Sequence, residues 1–514
     1  MSDVDTKARP AAATATRAMT PLSSPRPVGP TLSPEALAVT AQPAAPPMSP
    51  IVFAGFVRMG EFALIAAVGI GLFAAYHARL DGLSLRYVAA TLTIALLSMI
   101  AFQAADIYQV QAFRGHEKQY MRLASAWSMV FLLVIGASFF AKAGDMFSRL
   151  WLGTFYVSGL VALIISRRLV FLLVRHWTRD GRLTRRTVIV GGGQPGAHVI
   201  EELRRQKDAG VSIIGLFDDR GDERGGSECA GQRKLGTVED LVAFGRRTRV
   251  DLVIFSLPIS AENRILEMLK KLWVLPVDIR LAAHANKLTF RPRSYSYIGK
   301  VPMIDVADRP IADWDVVMKW LFDKLVGGAM LLCALPAMAL IALAIKLDSR
   351  GPVLFKQKRY GFNNDLIEVY KFRSMYVEKT DANASKLVTK DDPRVTRVGR
   401  IIRKTSLDEL PQLFNVVLKG NLSLVGPRPH AVNAKAEARL YDEAVDGYFA
   451  RHRVKPGITG WAQINGWRGE TDTHEKIQQR VEHDLYYIEN WSVLFDFYIL
   501  ARTPLALLKT ENAY

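Results

Sequence analysis

The stretch Leu321-Phe-Asp-Lys-Leu-Val-Gly-Gly-Ala-Met-Leu-Leu-Cys-Ala-Leu-Pro-Ala-Met-Ala-Leu-Ile-Ala-Leu-Ala-Ile-Lys-Leu347 is long and apolar enough to cross a bilayer, which takes about 20 residues. Two features argue against a straight crossing. Pro336 lies near its midpoint, where it removes a backbone hydrogen bond and clashes with the preceding turn. Both ends are basic, with Lys319 and Lys324 at its start and Lys346, Arg350, Lys356 and Lys358 at and after its end. Positive charge favours the cytoplasmic side, so a helix-break-helix that enters and leaves by one face fits better than a kinked span, the competing reading.

Four more apolar stretches precede it, at about Ile51 to Tyr76, Tyr87 to Ala105, Leu123 to Ala141 and Leu150 to Val174. Any one alone would read equally well as a buried core helix, but four in succession read as a transmembrane bundle over residues 51–175. The balance of Lys and Arg between its loops places both bundle ends at the cytoplasm. Residues 1–50 hold ten of the 24 prolines among Ala, Ser and Thr, and read as a disordered tail with no signal-peptide core.

Between bundle and hairpin the pattern turns to soluble α/β. Thr187-Val-Ile-Val-Gly-Gly-Gly-Gln-Pro-Gly196 predicts a buried strand, a glycine turn and a helix, with further strands at Ser212 to Phe217 and Asp251 to Ser256. Gly191, Gly193 and Gly196 have the spacing whose backbone amides cradle a phosphate, which supports a Rossmann-like domain over residues 185–290. A tight turn in a nucleotide fold that binds nothing is the alternative.

The 514 residues carry 67 Lys and Arg against 49 Asp and Glu, a balance of +18 that favours an anionic partner, and the mean hydropathy is +0.10. Cys229 and Cys333 are too few for a disulfide framework or a thiolate zinc site.

Beyond the hairpin, basic residues gather around an acidic pair. Ser406-Leu-Asp-Glu-Leu-Pro411 sets Asp408 beside Glu409, just ahead of a proline tolerated only in a helix's first turn. One reading is a capping box between Ser406 and Glu409. The other combines a helix start, several guanidinium groups and a carboxylate able to hold Mg²⁺, the parts needed to bind and attack a diphosphate. Leu424-Val-Gly-Pro-Arg-Pro-His430 adds a rigid turn that fixes Arg428 for a bidentate phosphate contact. Nucleic acid is disfavoured as a partner, because the charge adjoins a membrane segment and no recognised binding module is present.

Residues 310–514 resemble the bacterial monotopic phosphoglycosyl transferases through Lys371-Phe-Arg-Ser-Met375, Thr405-Ser-Leu-Asp-Glu-Leu-Pro-Gln412, Val425-Gly-Pro-Arg-Pro429 and Lys455-Pro-Gly-Ile-Thr-Gly-Trp461. The preceding regions resemble the long-form subgroup. Gly466-Trp-Arg-Gly-Glu-Thr-Asp-Thr473 resembles the undecaprenyl-phosphate glucose phosphotransferases of exopolysaccharide synthesis. The resemblance implies a membrane α+β protein with a four-helix transmembrane bundle, a Rossmann-like domain, and a re-entrant hairpin with a mostly helical catalytic domain. It implies ping-pong transfer of glucose 1-phosphate from UDP-glucose to undecaprenyl phosphate, with release of UMP. Asp408 is then nucleophile and Mg²⁺ ligand, and Glu409 its catalytic neighbour. Lys371, Arg373, Arg403 and Arg428 are phosphate-binding, and Pro336 is the hairpin break. A homodimer is implied, in the bacterial inner membrane with its catalytic domain on the cytoplasmic face.

Two positions depart from the family pattern: Leu335 stands where many members have Ser, and Asn421 where many have Asp. The alternatives are the same reaction with another UDP-hexose such as galactose, a membrane-anchored NAD-dependent epimerase or dehydratase built on Gly191 to Gly196, and a non-enzymatic scaffold of polysaccharide assembly. The epimerase reading lacks a Tyr-x-x-x-Lys pair downstream of the glycines, and a scaffold has no need of Asp408 among so many cations.

Overall fold

The computed structural model describes residues 32–508 apart from 77–83, 109–116, 143–145, 207–209, 222–227, 284–295, 300, 378–391, 430–434, 437–438, 441–447 and 468–472. Most of the Gly466 to Thr473 motif therefore lies outside the described residues, as does the first part of the expected tail. The rest of that tail is structured, which corrects the expectation. Helix α1 (Pro34–Thr40) is capped by the Ser33 hydroxyl, which also donates to the Leu235 carbonyl at 2.8 Å. Leu32 and Ala36 are buried in the core of the α/β domain. The composition is poor in large apolar groups, but these two reach a groove that is already built.

Four long apolar helices follow: α2 (Pro50–Tyr76), α3 (Leu85–Ala104), α4 (Glu117–Phe140) and α5 (Arg149–Arg179). They pack in a ring, α2 on α3, α3 on α4, α4 on α5 and α5 on α2. Trp127, Trp151, Phe73 and Phe155 fill the core, and the Trp151 indole N–H donates to the Gly69 carbonyl at 3.2 Å. Arg167 of α5 and Glu61 of α2 form a buried ion pair, Nε to Oε1 at 2.7 Å and Nη2 to Oε2 at 2.9 Å. Each charge there depends on the other, since a lone one in apolar surroundings costs several kcal/mol.

The α/β domain holds an eight-stranded sheet in the order β3-β4-β2-β1-β5-β6-β8-β7. Its centre is parallel: β1 (Arg185–Val190) lies between β2 (Val211–Phe217) and β5 (Leu252–Phe255), with β4 (Gln232–Gly236) and β6 (Asp278–Ala282) outside them. The sheet continues past the expected end at residue 290. β8 (Val301–Ala307) pairs antiparallel with β6 and with β7 (Ser296–Ile298), while β3 (Glu228–Cys229) closes the other edge.

The glycine turn joins β1 to helix α6 (Gly193–Arg205) at the carboxyl end of β1, beside the switch point between β1 and β5, where open α/β sheets bind ligands. Gly191 and Gly193 have φ of +99° and +78°, a region that favours glycine, and a Cβ on Gly196 would lie 2.6 Å from the Gly191 carbonyl oxygen. The buried Asp218 carboxylate accepts from the Gly192 N–H at 2.7 Å, so this amide of the turn is already bonded to the protein.

Two shorter helices, α7 (Val238–Arg247) and α8 (Glu262–Leu272), precede α9 (Asp313–Asp348), a single helix about 54 Å long at 1.5 Å per residue. The expected break into two helices is not present, because Pro336 lies inside the continuous element. A proline costs a helix interior about 3 kcal/mol, which packing on both sides of it offsets. Before the proline, Lys319 Nζ donates to Asp496 Oδ2 at 2.6 Å, and Asp323 Oδ1 accepts from Ser423 Oγ at 2.9 Å and the Leu424 N–H at 3.0 Å. After it, Met338 and Ile345 are buried with Phe372 and Ile402, and Asp348 Oδ2 accepts from the Val398 N–H at 3.1 Å. Both ends of α9 thus rest on the same globular unit. Leu335 is 42% exposed.

That unit contains the hairpin β9 (Leu354–Tyr360) and β10 (Leu366–Phe372), helix α10 (Arg397–Lys404), the parallel pair β11 (Ser423–Val425) and β12 (Gly457–Thr459), and helices α11 (His474–Glu489) and α12 (Val493–Leu508). It meets the other domains at short contacts. Ser49 Oγ donates to Asp313 Oδ1 at 2.6 Å, and Asn363 Nδ2 donates to the Gly245 carbonyl at 3.1 Å.

The α1 contact is testable. Ala36→Asp places an unpaired charge in the α/β core and should free the segment. Mild proteolysis of the detergent-solubilised variant is expected to cut near residue 40 under conditions that leave the wild-type chain whole. Equal protection of both would mean that α1 is not docked.

Candidate active site

The acidic pair lies on a distorted helical segment. Ser406 is left-handed at φ +59°, Leu407–Glu409 form a 3₁₀ turn, and Gln412–Phe414 lead into a π-helical turn over Asn415–Lys419 that ends at Gly420. Ser406 makes no side-chain cap on this turn, so the capping box read from the sequence does not form. The π turn leaves Asn415 fully buried against the edge of β10. Its Nδ2 donates to the Glu368 carbonyl at 2.7 Å, and its Oδ1 accepts from the Tyr370 N–H at 2.9 Å. Asn421, the departure from the family pattern, steadies that amide, its Oδ1 accepting from Asn415 Nδ2 at 3.1 Å. Through this clamp the helical segment is registered on the strand that carries Lys371.

Glu409 is held by two cations. Lys371 Nζ donates to its Oε1 at 2.8 Å, while Arg428 Nη2 and Nη1 donate to Oε1 and Oε2 at 2.6 and 3.2 Å. Burial alone would raise the Glu409 pKa, but Arg428 and Lys371 together hold it well below the usual carboxylate range. Asp408 behaves in the opposite way. Burial pushes its pKa up and the Glu409 charge adds to this, against the pull of Lys371, Arg403 and Arg428. Its carboxylate has no hydrogen bond among the described residues. Adjacent carboxylates are thus divided into one fixed as an anion and one left open.

Of the residues singled out in the sequence, Asp408, Glu409, Lys371 and Arg428 converge here, and Arg403 of α10 is close enough for its charge to act on Asp408. Arg373 does not converge. It is buried, with its guanidinium donating to the carbonyls of Ser349 and Arg350 at the end of α9, and it is fixed there instead of facing a phosphate. The alternation that sends Lys371 inward sends Arg373 to the same edge of the hairpin, but beyond its last pair, where α9 ends.

Sequence reasoning missed Arg359, whose charge acts on Arg428, Glu409 and Asp408. It also missed Arg451, which donates to the Arg428 carbonyl at 2.7 Å while paired with buried Asp484 at 2.6 Å. Among the described residues no three His, Cys, Asp or Glu side chains gather as a metal cage. Mg²⁺ commonly takes only one or two carboxylates and completes its shell with water and substrate phosphates, so Asp408 is the side chain here that fits it.

The arrangement sets an open carboxylate at the edge of a cationic cluster, beside a long apolar helix. A family model described as bacterial sugar transferase matches residues 314–510, and one described as CoA-binding domain matches residues 103–283. The UDP-glucose:undecaprenyl-phosphate glucose-1-phosphate transferase of Xanthomonas campestris pv. campestris is 34% identical over 83% of this chain and 88% of its own length. The protein of the same name from Escherichia coli is 34% identical over 84% of this chain and 92% of its own length. The undecaprenyl-phosphate glucose phosphotransferase of Komagataeibacter xylinus is 40% identical over 71% of this chain and 66% of its own length. The chain belongs to the bacterial sugar transferase family and is a membrane enzyme of the sugar-phosphate transferase class.

The placement of Arg373 gives a prediction. Arg373→Gln should lower thermal stability by about 1.5 to 3 kcal/mol, the range for hydrogen bonds to a charged group, and leave the KM for the sugar nucleotide near its wild-type value. A raised KM with unchanged melting would return Arg373 to the substrate.

Proposed function

We propose that this protein transfers glucose 1-phosphate from UDP-glucose to undecaprenyl phosphate as the first membrane step of exopolysaccharide synthesis, by a ping-pong mechanism through Asp408. The observation that carries the reading is the division of the dyad: Glu409 is committed to Lys371 and Arg428, while Asp408 has an unbonded carboxylate in the same cationic environment. The names of the relatives supply glucose and undecaprenyl phosphate.

In this mechanism an Asp408 oxygen attacks the β-phosphorus of UDP-glucose. The bond from that phosphorus to the bridging oxygen breaks, UMP leaves with the electron pair, and a phosphoglucosyl aspartate remains. A terminal oxygen of undecaprenyl phosphate then attacks the same phosphorus and displaces the carboxylate, giving the lipid diphosphate sugar. Lys371, Arg403 and Arg428 neutralise the phosphate oxygens, and the Glu409 anion holds Lys371 and Arg428 in place for this work. Mg²⁺ held by Asp408 would supply further neutralisation of the diphosphate.

The cationic cluster makes the weakly basic Asp408 sufficient as nucleophile.

The lipid acceptor requires the site to lie at the bilayer surface. We place it on the cytoplasmic face of the inner membrane, with α9 entering and leaving by that face through a bend at Pro336 within the continuous helix, because both ends of α9 rest on the catalytic unit. Galactose in place of glucose and a homodimeric assembly are compatible with the same site. The α/β domain serves structure or regulation, since the transfer residues form a set without it.

Two outcomes test this reading. Asp408→Asn should abolish UMP release and the phosphoglucosyl adduct seen by intact-protein mass spectrometry, whereas Glu409→Gln should leave a trace. An Asp408→Asn protein that still forms the adduct would refute the assignment.

Topology is tested with cysteines at the exposed positions Asp315 and Lys356 in a chain lacking Cys229 and Cys333. Neither should react with a membrane-impermeant thiol reagent in intact cells. Labelling at Lys356 alone would establish a full crossing by α9.

A further inference from the structure

Strand β9 presents two different faces. Lys356 and Lys358 point to the exposed side, where Lys356 and Lys419 flank the Tyr370 ring. Phe355, Gln357 and Arg359 stand opposite Lys371, Val369 and Ile367 on the other face, which the catalytic unit covers. Arg359 is therefore the one cation of that strand directed at the dyad.

Its bonding is unusual for an arginine in such a place. Nε and Nη2 donate to Gln357 Oε1 at 3.1 and 2.9 Å, and Nη1 donates to the Pro429 carbonyl. All these acceptors are neutral, and no carboxylate pairs with Arg359 among the described residues. Pro429 follows Arg428, whose own carbonyl is taken by Arg451. The turn that presents Arg428 to Glu409 is thus gripped on two successive carbonyls by guanidinium groups from two different elements.

The charges around the dyad, Lys371, Arg359, Arg403 and Arg428 against Asp408 and Glu409, leave a positive excess. Arg359, having no carboxylate of its own, contributes directly to that excess. A diphosphate diester is the kind of anion that such an excess suits.

We propose that Arg359 is a positioning residue for sugar-phosphate transfer, which fixes the Pro427-Arg428-Pro429 turn through the Pro429 carbonyl and is itself oriented by Gln357. It acts through Arg428 and does not touch the reacting phosphorus. This rests on the reading of the dyad as the transfer site. Lysine in its place keeps the charge but has no planar fork with which to reach Gln357 and Pro429 together.

The test uses the full chain in detergent with UDP-glucose and undecaprenyl phosphate, following UMP. Arg359→Lys should lower kcat by about tenfold to a hundredfold, the scale on which small misplacements of catalytic groups act, with little change in KM or melting temperature. Gln357→Leu, which leaves the arginine in the chain, should give a smaller loss of the same kind and guards against a lysine variant that fails to fold. In an Arg428→Lys background, Arg359→Lys should add little, because residues that act through one contact are not additive.

Wild-type kcat in both Arg359→Lys and Gln357→Leu would overturn the proposal. So would losses that multiply in full in the double variant, or that follow the folded fraction alone. Absence of UMP from the wild-type chain would instead sink the transfer reading beneath it.

Discussion

The attachment of both ends of α9 to one globular unit is the constraint on which the rest of the molecule depends. A reaction between a water-soluble diphosphate and a lipid phosphate must occur where the two phases meet. The apolar middle of α9 draws the unit to lipid, while Lys319, Asp323 and Asp348 anchor its ends. These anchors are ionic or charge-assisted bonds, several of them buried, and each would be costly to leave half-made. Arg373 belongs to the same device: by satisfying the carbonyls of Ser349 and Arg350 it fixes where α9 ends and β9 begins.

From that anchoring the site follows. The residues after α9 form β9 and β10, and the Asn415 amide registers the dyad segment against β10. Lys371 can then reach Glu409 from one side and Arg428 from another. A carboxylate with two such partners is committed to them, whereas the carboxylate of the neighbouring Asp408 stays unbonded among the described residues. The contrast between the two acids comes from their partners and not from their types.

Much of this was legible in the sequence because it is local. Asp408 and Glu409 are adjacent, Arg428 lies between two prolines, and Lys371 sits in a short basic motif. The central strands were legible for the same reason, each being a compact apolar run. Arg359 was hidden beside Lys356 and Lys358, which read as the basic flank of the apolar stretch. The alternation Phe355-Lys-Gln-Lys-Arg359 already divides them by face, but only the pairing with β10 says which face meets the dyad. Arg373 was misplaced for the converse reason: its charge resembles a phosphate ligand, and its actual partners are backbone carbonyls that the sequence does not distinguish. The burial of Leu32 and Ala36 was invisible because a proline-rich composition says nothing about a groove supplied by a domain two hundred residues away.

The strand that carries Arg359 also leads toward the α/β domain. Three residues beyond β9, Asn363 is left-handed at φ +53° and donates to the Gly245 carbonyl in the last turns of α7. On the neighbouring surface, Arg246 lies over the Phe449 ring, and Arg453 donates to the Asp308 carbonyl and lies over Trp273. These contacts fall on turns whose conformations are narrowly set, since a left-handed asparagine has few alternatives once its amide is bonded. The α/β domain therefore buttresses the tip of the same hairpin whose inner face supplies Lys371 and Arg359. A domain that adds no side chain to the dyad can still matter to it, because the position of that hairpin decides which cations the two carboxylates meet.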